Sequence, residues 1–525
     1  MRSMEKRPWL DKYIVDVETA FTTPESDLYS MLEHTAGKLG EKTALIYEDN
    51  QITFKQLKTE VDCLAHAWYK LGLKKSERIG VMMENHPDYV RCYYAAMKLG
   101  MIVVQINPMY TKRELAEIFT DAELSYLVIQ SDYIEKITEF TDFTHVFTSG
   151  TPAKNQSFYN IANLIEQSSP SGNKAQIDIK KDVAVIQYTG GTTGKMKGAM
   201  LSHFNLFSNL VQSNIIYGDR IQWEHETLLT VIPLYHVYGM TAGMNVGIYT
   251  GAANIIVPRF DMNVVLKIIK TYKPSMFPGV PKMFSAFVNY PNIEQCGLDC
   301  LKICTSGSAP LPDEIIRKFE RITGVTIEEG YGLSEASPVT HRNPPFGVRK
   351  IGSIGVPFPK TDCKIVNDEE AELPVNTIGE LLIKGPQVML GYWQKEEETN
   401  KAFKHGWFHT GDLAMMDEDG YFYIVGRKKE MMIVSGFNVY PQEVENVLYE
   451  YPYVVEAAVI GVPDQERGEI IKAFIVPKEG TTLDINQVKA FCYQRLTRYK
   501  VPKIYEIRDS LPRNPVGKIL KRLLK

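Results

Sequence analysis

Seven cysteines in 525 residues are few, odd in number and without the compact spacing of a disulfide framework. That argues against a disulfide-built secreted fold and fits free thiols in a reducing compartment, so a cytoplasmic location is expected. Cys296, Cys300 and Cys304 do recur every fourth residue in QCGLDCLKIC. Zinc sites use other spacings, no His lies close by, and LKICTSG reads as a short buried strand entering a turn. An excess of positive charge is also missing: the net charge is −4 and the isoelectric point is near 6.3, which makes nucleic acid a poor partner. The N-terminus, MRSMEKRPWLDKY, lacks the apolar core of an export signal. There is no internal repeat and no low-complexity tract.

One stretch, Leu228 to Pro258, lacks Asp, Glu, Lys and Arg altogether and is long enough to cross a bilayer. Within it Gly239, Gly243, Gly247 and Gly251 form a small-residue stripe of the kind that lets membrane helices approach closely. Pro233, His236, Asn245 and Asn254 interrupt the run, so the better prediction is strand, loop, helix and strand, with no membrane span. The glycine face then allows close packing, or leaves space for an apolar ligand.

What the chain does contain is enough apolar sequence (44%, with 23% charged) for a large core, at a length that calls for a big domain and a smaller one. From about 27 to 147 short apolar strands (TALIYED, RIGVMM, MIVVQIN, LSYLVIQ, HVFTS) alternate with helices, among them Thr53 to Leu71 and Pro87 to Leu99. Such alternation predicts parallel strands with helical crossovers. A polar connection from about Ser168 to Lys181 leads into the strand VAVIQY, and beyond Gly352 the rhythm changes to short strands and turns. The fold class predicted is α/β: a large N-terminal domain of stacked α/β sub-layers plus a β-rich sub-layer, residues 1–425. A hinge at 426–429 and a small, mobile α+β C-terminal domain, 430–525, complete it.

The Gly- and Thr-rich stretch YTGGTTGKMKG, 188–198, is suited to holding phosphate through backbone N–H groups. It is not a Walker loop. Counting back from Gly194 and Lys195 puts Thr189 where that motif needs glycine, and Met196 where it needs Ser or Thr.

Seven motifs taken in order settle the comparison: YTGGTTGKMKG, PLYHVYG, TSGSAPL, GYGLSEASP, WFHTGDLA, GRKKEMMIVSGFNVYP and PRNPVGK. Together they resemble the adenylate-forming superfamily of acyl-CoA synthetases, and within it the long-chain fatty-acid CoA ligases, over nearly the whole chain. The resemblance implies transfer of AMP from ATP to a carboxylate with release of pyrophosphate, then displacement of AMP by the CoA thiol. It implies Mg²⁺ with ATP, CoA as co-substrate, and a monomer or homodimer that makes at most peripheral membrane contact.

By that resemblance, Thr189, Gly190, Gly191, Thr192, Thr193 and Gly194 would wrap the pyrophosphate, with Lys197 as the loop's lysine and Lys195 left open between phosphate contact and a solvated side chain. Glu335, with Thr189, would hold Mg²⁺; one carboxylate plus phosphate oxygens suits this ion. Tyr331 would lie against adenine, opposite a wall of Gly307, Ser308 and Ala309, with Glu329, Gly330 and Ser334 completing the nucleotide contacts. Asp412 would accept both ribose hydroxyls, and Arg427 would be the second ribose contact. Lys518 would be the catalytic lysine, Lys429 the hinge, and Gly436 part of the CoA passage. His236 stands where amino-acid-activating relatives carry an Asp for the substrate ammonium, so amino acids are disfavoured as substrates. Tyr235, Met240 and Gly243 would line the acyl pocket; some long-chain ligases carry a Trp gate where Met240 stands, which leaves chain length open. Alternatives within the same chemistry are an aryl-acid CoA ligase and an enzyme loading a separate carrier protein, since no carrier domain follows PRNPVGK. A non-catalytic acyl or nucleotide sensor would be expected to lose Glu335, Asp412 or Lys518, and all three are present.

Overall fold

The computed structural model describes residues 7–151, 158–190, 196–464, 466–513 and 517–524. The expected helices form where their caps are. Helix Phe54–Lys70 starts from Thr53, whose hydroxyl accepts from the Gln56 N–H while the Gln56 side chain returns to the Thr53 N–H, satisfying two orphan donors reciprocally. Helix Pro87–Leu99 opens on a proline and closes on Gly100 at φ 68°, the left-handed turn that glycine adopts without a Cβ penalty.

Among the described residues these helices cover two large sheets. In the first, Val183–Gly190, Ile102–Gln105, Arg78–Met82, Tyr126–Gln130, His145–Ser149 and Phe158–Asn160 run parallel, and Met196–Ser202 and then Gly391–Tyr392 are added antiparallel at one edge. In the second, Ile327–Gly332, Ile303–Ser306, Met276–Gly279, Thr227–Thr230, Ala253–Ile256 and Thr43–Tyr47 run parallel between antiparallel edges. A third, antiparallel sheet joins Asp362–Val366, Gly379–Lys384, Trp407–Met416, Phe403–Lys404 and Phe422–Arg427, the β-rich sub-layer expected beyond Gly352.

The strand Phe422–Arg427 is the last of that layer. After it come a 3₁₀ turn, Lys428–Glu430, and a separate C-terminal domain. Its sheet pairs Phe437–Val439, Met432–Val434, Gly468–Pro477 and Val454–Asp464 antiparallel and adds Ile504–Ile507 in parallel. It packs helices Pro441–Tyr449 and Ile485–Arg495 over its own buried cluster, which includes Val439, Val444, Leu448, Ile475 and Val488.

The uncharged stretch resolves as strand Thr227–Thr230, a π-helical turn Gly239–Asn245, helix Val246–Thr250 and strand Ala253–Ile256. Its glycines are there for contact. A Cβ on Gly239 would sit 2.2 Å from the Pro233 carbonyl oxygen, and one on Gly243 2.7 Å from Thr230 Cγ2, so this face is filled by protein and leaves no room for a ligand. No helix among the described residues is long and apolar enough to cross a membrane. All seven cysteines are free thiols, and no metal-ligating cluster is found among the described residues.

Candidate active site

Several motifs end parallel strands of the two large sheets at one place. Thr189 lies near the end of Val183–Gly190, Gly307 just follows Ile303–Ser306, and Tyr331 lies near the end of Ile327–Gly332. Between them opens a cleft of about 1480 Å³, which the C-terminal domain completes with Lys518. Carboxyl ends of parallel strands are where open α/β sheets bind ligands.

At one side of the cleft, the hairpin of Val183–Gly190 and Met196–Ser202 sets Thr189 opposite Lys197. Gly191, Thr192, Thr193 and Gly194, expected to wrap pyrophosphate, and Lys195 lie outside the described residues; Gly190 is the last described residue before them and pairs with Met196. The Lys197 ammonium pairs with the Glu398 carboxylate and stands 5.1 Å from the centre of the Tyr392 ring. The Tyr392 hydroxyl donates to Glu335 Oε1 at 2.9 Å, and Glu335 is carried on the short turn Ser334–Ala336. Neither Tyr392 nor Glu398 was expected from the motifs.

A second charged cluster borders the same cleft through Tyr331 and Arg427, with Asp412 buried behind them. Asp412 and Arg427 are direct partners across antiparallel strands, and Arg427 Nε lies 2.6 Å from Asp412 Oδ1. The Tyr331 hydroxyl donates to the other carboxylate oxygen. Burial works against the Arg427 charge, but Asp412, together with Tyr331, Glu335 and Glu430, outweighs it and raises the guanidinium pKa. Burial, then the Asp412 charge, raises the Tyr331 phenol well above its ordinary value. Gly307, Ser308 and Gly330 line the cleft beside them, with Ser308 at φ 72°. Lys518 is accessible within the cleft yet surrounded by protein, and that desolvation, followed by the nearby Arg427 charge, lowers its pKa while Asp412 raises it. Lys429 also lines the cleft, from the turn Lys428–Glu430.

His236 and Tyr235 occupy a third part of the wall. His236 Nδ1 accepts from the Tyr238 N–H at 3.2 Å, which puts the ring proton on Nε2. Burial lowers its pKa to about 4, so the ring is neutral at physiological pH and offers a donor without a fixed charge.

Some expected residues stand elsewhere. The Glu329 carboxylate accepts from the Gly352 N–H at 3.3 Å, and burial raises its pKa to about 7; neither it nor Ala309 lines the cleft. Met240 is fully buried, with its sulfur 3.0 Å from Gln105 Nε2, and Gly243 packs on Thr230, so neither opens into the cleft. Gly436 sits in the exposed turn between Met432–Val434 and Phe437–Val439 at φ 82°, with nothing within 4 Å of a Cβ built on it. In this arrangement its glycine serves the turn.

Residues 32–393 match the family model described as AMP-binding enzyme, and 443–518 that of the AMP-binding enzyme C-terminal domain. The chain belongs to the AMP-binding enzyme family. A long-chain-fatty-acid–CoA ligase of Bacillus subtilis (strain 168) is 40% identical over 547 residues, covering 99% of this chain and 98% of that protein. Among solved structures, the anthranilate CoA ligase AuaEII in complex with anthranoyl-AMP aligns with a TM-score of 0.88 at 28% identity over 95% of this chain and 96% of that one. MatB from Rhodopseudomonas palustris is 32% identical over 95% and 98% of the two chains, with a TM-score of 0.86 for its ATP-bound form and 0.77 for its apo form.

Proposed function

We propose that this AMP-binding enzyme is an ATP-dependent fatty acid:CoA ligase. In the first step a carboxylate oxygen attacks the α-phosphorus of ATP and pyrophosphate leaves, giving acyl-AMP. In the second the CoA thiol attacks the acyl carbon, loses its proton and expels AMP, giving acyl-CoA. The observation that carries this reading is the common cleft, in which Tyr331, Arg427, the neutral His236 and Lys518 all face one space, with Asp412 buried behind the first two as their shared partner. The long-chain ligase of Bacillus subtilis, alike over almost the full length of both chains, supports the choice of acid.

In this reading Asp412 and Arg427 take the ribose hydroxyls, and Gly307 and Gly330 admit the adenine where side chains would obstruct it, with Ser308 beside them. Lys197, Thr189 and the loop at 191–194 hold the outer phosphates. Glu335 is a lone carboxylate with no further ligand cluster among the described residues, a donor set that fits Mg²⁺ arriving with its phosphate ligands; that ion would neutralise charge on the phosphates. His236 orients the acid through its neutral Nε2–H, and Lys518 stabilises the charge that develops between carboxylate and α-phosphate. The hinge falls at 426–429, and rotation of residues 430–525 about Lys429 would withdraw Lys518 and bring Gly436 to the CoA passage. The higher similarity to ATP-bound than to apo MatB supports reading the present arrangement as the adenylate-forming one.

An aryl acid is the second reading, favoured by the burial of Met240, which is in contact with Gln105 rather than open to the cleft beside His236. Pyrophosphate release measured over acetate, medium and long fatty acids, benzoate and a coumarate, with and without CoA, separates the two. The proposal expects the highest kcat/KM for medium or long chains, because each buried CH₂ contributes about 0.8 kcal/mol. A winning acetate or aryl acid would overturn it.

A further inference from the structure

The segment 389–402 carries none of the seven motifs, yet it is fastened to both of the charges that face the phosphate side of the cleft. The Met389 N–H donates to the Glu335 carbonyl at 2.8 Å, Leu390 N–H to Met200 O at 2.9 Å and Trp393 N–H to Gly198 O at 2.8 Å. Gly391 and Tyr392 pair with Met200 and Ala199, on the strand that bears Lys197. The segment's own turn is closed by the Tyr392 N–H donating to Thr399 Oγ1 at 2.9 Å. A Cβ on Gly391 would come within 2.8 Å of Thr399 Cγ2, so this closure needs glycine.

From that frame two side chains reach the charges. Tyr392 bridges them: its hydroxyl donates to Glu335 Oε1 at 2.9 Å, and its ring lies under the Lys197 ammonium at 5.1 Å, a distance at which a cation is attracted to the aromatic face. Glu398, on helix Glu396–Ala402, pairs with the same ammonium. It also has Lys401 within 3.6 Å, so its carboxylate keeps a cationic neighbour if Lys197 departs.

We infer that Tyr392 and Glu398 are positioning residues for the phosphate site: Tyr392 fixes the Glu335 carboxylate, and Glu398 holds Lys197 as a counter-ion that an incoming triphosphate must replace. The inference rests on the proposed nucleotide chemistry but concerns residues outside it. It implies two separable effects. The Tyr392 hydroxyl acts through Glu335, so its loss weakens binding only when Mg²⁺ accompanies the nucleotide. The Glu398 carboxylate competes with phosphate for Lys197, so its loss tightens binding whether Mg²⁺ is present or not.

The experiment is calorimetric titration of ATP into the full-length protein, in Mg²⁺ and in EDTA, for wild type, Tyr392→Phe and Glu398→Gln, with melting temperatures alongside. Tyr392→Phe should raise the Kd for ATP about tenfold in Mg²⁺, the loss expected of one hydrogen bond to a charged group, and leave the EDTA value within twofold. Glu398→Gln should lower the Kd at least about threefold in EDTA and steepen its dependence on salt, because the phosphate–Lys197 attraction is then screened with no competing ion pair screened alongside it. Equal weakening of Tyr392→Phe in both buffers, or no weakening, would overturn the positioning role. Unchanged or weaker binding by Glu398→Gln, a half-exposed side chain whose replacement does not threaten folding, would overturn the counter-ion role. If wild type binds no ATP in either buffer, the ligase reading itself falls.

Discussion

Replacing Asp412 by Asn removes one charge from behind the cleft wall, where the proposal puts the ribose, and keeps the side chain's shape. Asp412 is 3% exposed, and its carboxylate lies 2.6 Å from Arg427 Nε and accepts from the Tyr331 hydroxyl. Without it the guanidinium stays in a largely enclosed place without its main counter-charge, with only the weaker influence of Glu335 and Glu430 left. Removing one partner of a buried pair costs about 3–5 kcal/mol. Because the Arg427 side chain keeps 29% of its surface accessible, water recovers part of that, and a loss of about 2–3 kcal/mol is expected. Urea midpoints of the two proteins measure it, since a two-domain chain has no single unfolding free energy. Asn also offers one acceptor oxygen where two ribose hydroxyls call for a carboxylate, so the Kd for ATP should rise about tenfold to a hundredfold. Asp412 is among the charges that raise the Lys518 pKa against burial and Arg427; its removal lowers that pKa further. The ammonium form is lost as pH rises, so the alkaline limb of adenylate formation should move to lower pH. An unchanged midpoint together with a Kd within twofold of wild type would refute both the ion-pair argument and the ribose assignment.

Lys518→Ala should abolish adenylate formation from ATP and acid, by about a hundredfold or more if its contact contributes roughly 3 kcal/mol, while a supplied acyl-adenylate plus CoA still gives acyl-CoA at near the normal rate; equal impairment of both half-reactions would make Lys518 structural. Glu328→Gln should stabilise the protein more at pH 8 than at pH 5. Burial raises the Glu328 pKa from 4.5 to about 7, so the folded state favours the protonated form and this carboxyl's contribution is lost as pH rises through about 7. A gain of about 1–3 kcal/mol at pH 8 relative to pH 5, read from urea midpoints, is expected, and a pH-independent effect would contradict it. Gly239→Ala puts a Cβ 2.2 Å from Pro233 O, which should cost about 1–3 kcal/mol of stability and raise the KM for the acid by shifting the loop that holds His236; wild-type stability would show that the turn yields easily.

The sequence was most readable where local chemistry decides the outcome. Thr53, Pro87 and Gly100 are capping residues, and the helices begin and end on them; the layer change at Arg427 shows in a strand that ends on a basic run. It was least readable where the partner is distant. Nothing near Glu335 announces Tyr392, 57 positions away, and nothing near Lys197 announces Glu398, 201 positions away. The glycine stripe had two physical readings, a contact face or an open pocket, and only the atoms opposite Gly239 and Gly243 could decide for contact. Glu329 and Tyr331 share a motif, yet Tyr331 reaches Asp412 while the Glu329 carboxylate turns to the Gly352 backbone. A motif fixes the backbone's course without fixing what each side chain meets.

The gathering of dispersed motifs has a topological cause. In a sheet of parallel strands joined by right-handed helical crossovers, every strand ends at the same edge, so loops far apart in sequence share one rim. Thr189, Gly307 and Tyr331 reach the cleft by this route, from two sheets whose rims meet. Asp412 and Arg427 come instead from an antiparallel pair, where cross-strand partners stand within one side-chain length of each other. That geometry suits a salt bridge that must remain fixed as ligands come and go. Lys518 belongs to neither arrangement, since it enters the cleft from a domain with its own core. Its position therefore depends on how that domain is placed, while that of the Asp412–Arg427 pair does not, and under the proposed mechanism this difference is what would let one half-reaction lose its lysine without losing its nucleotide.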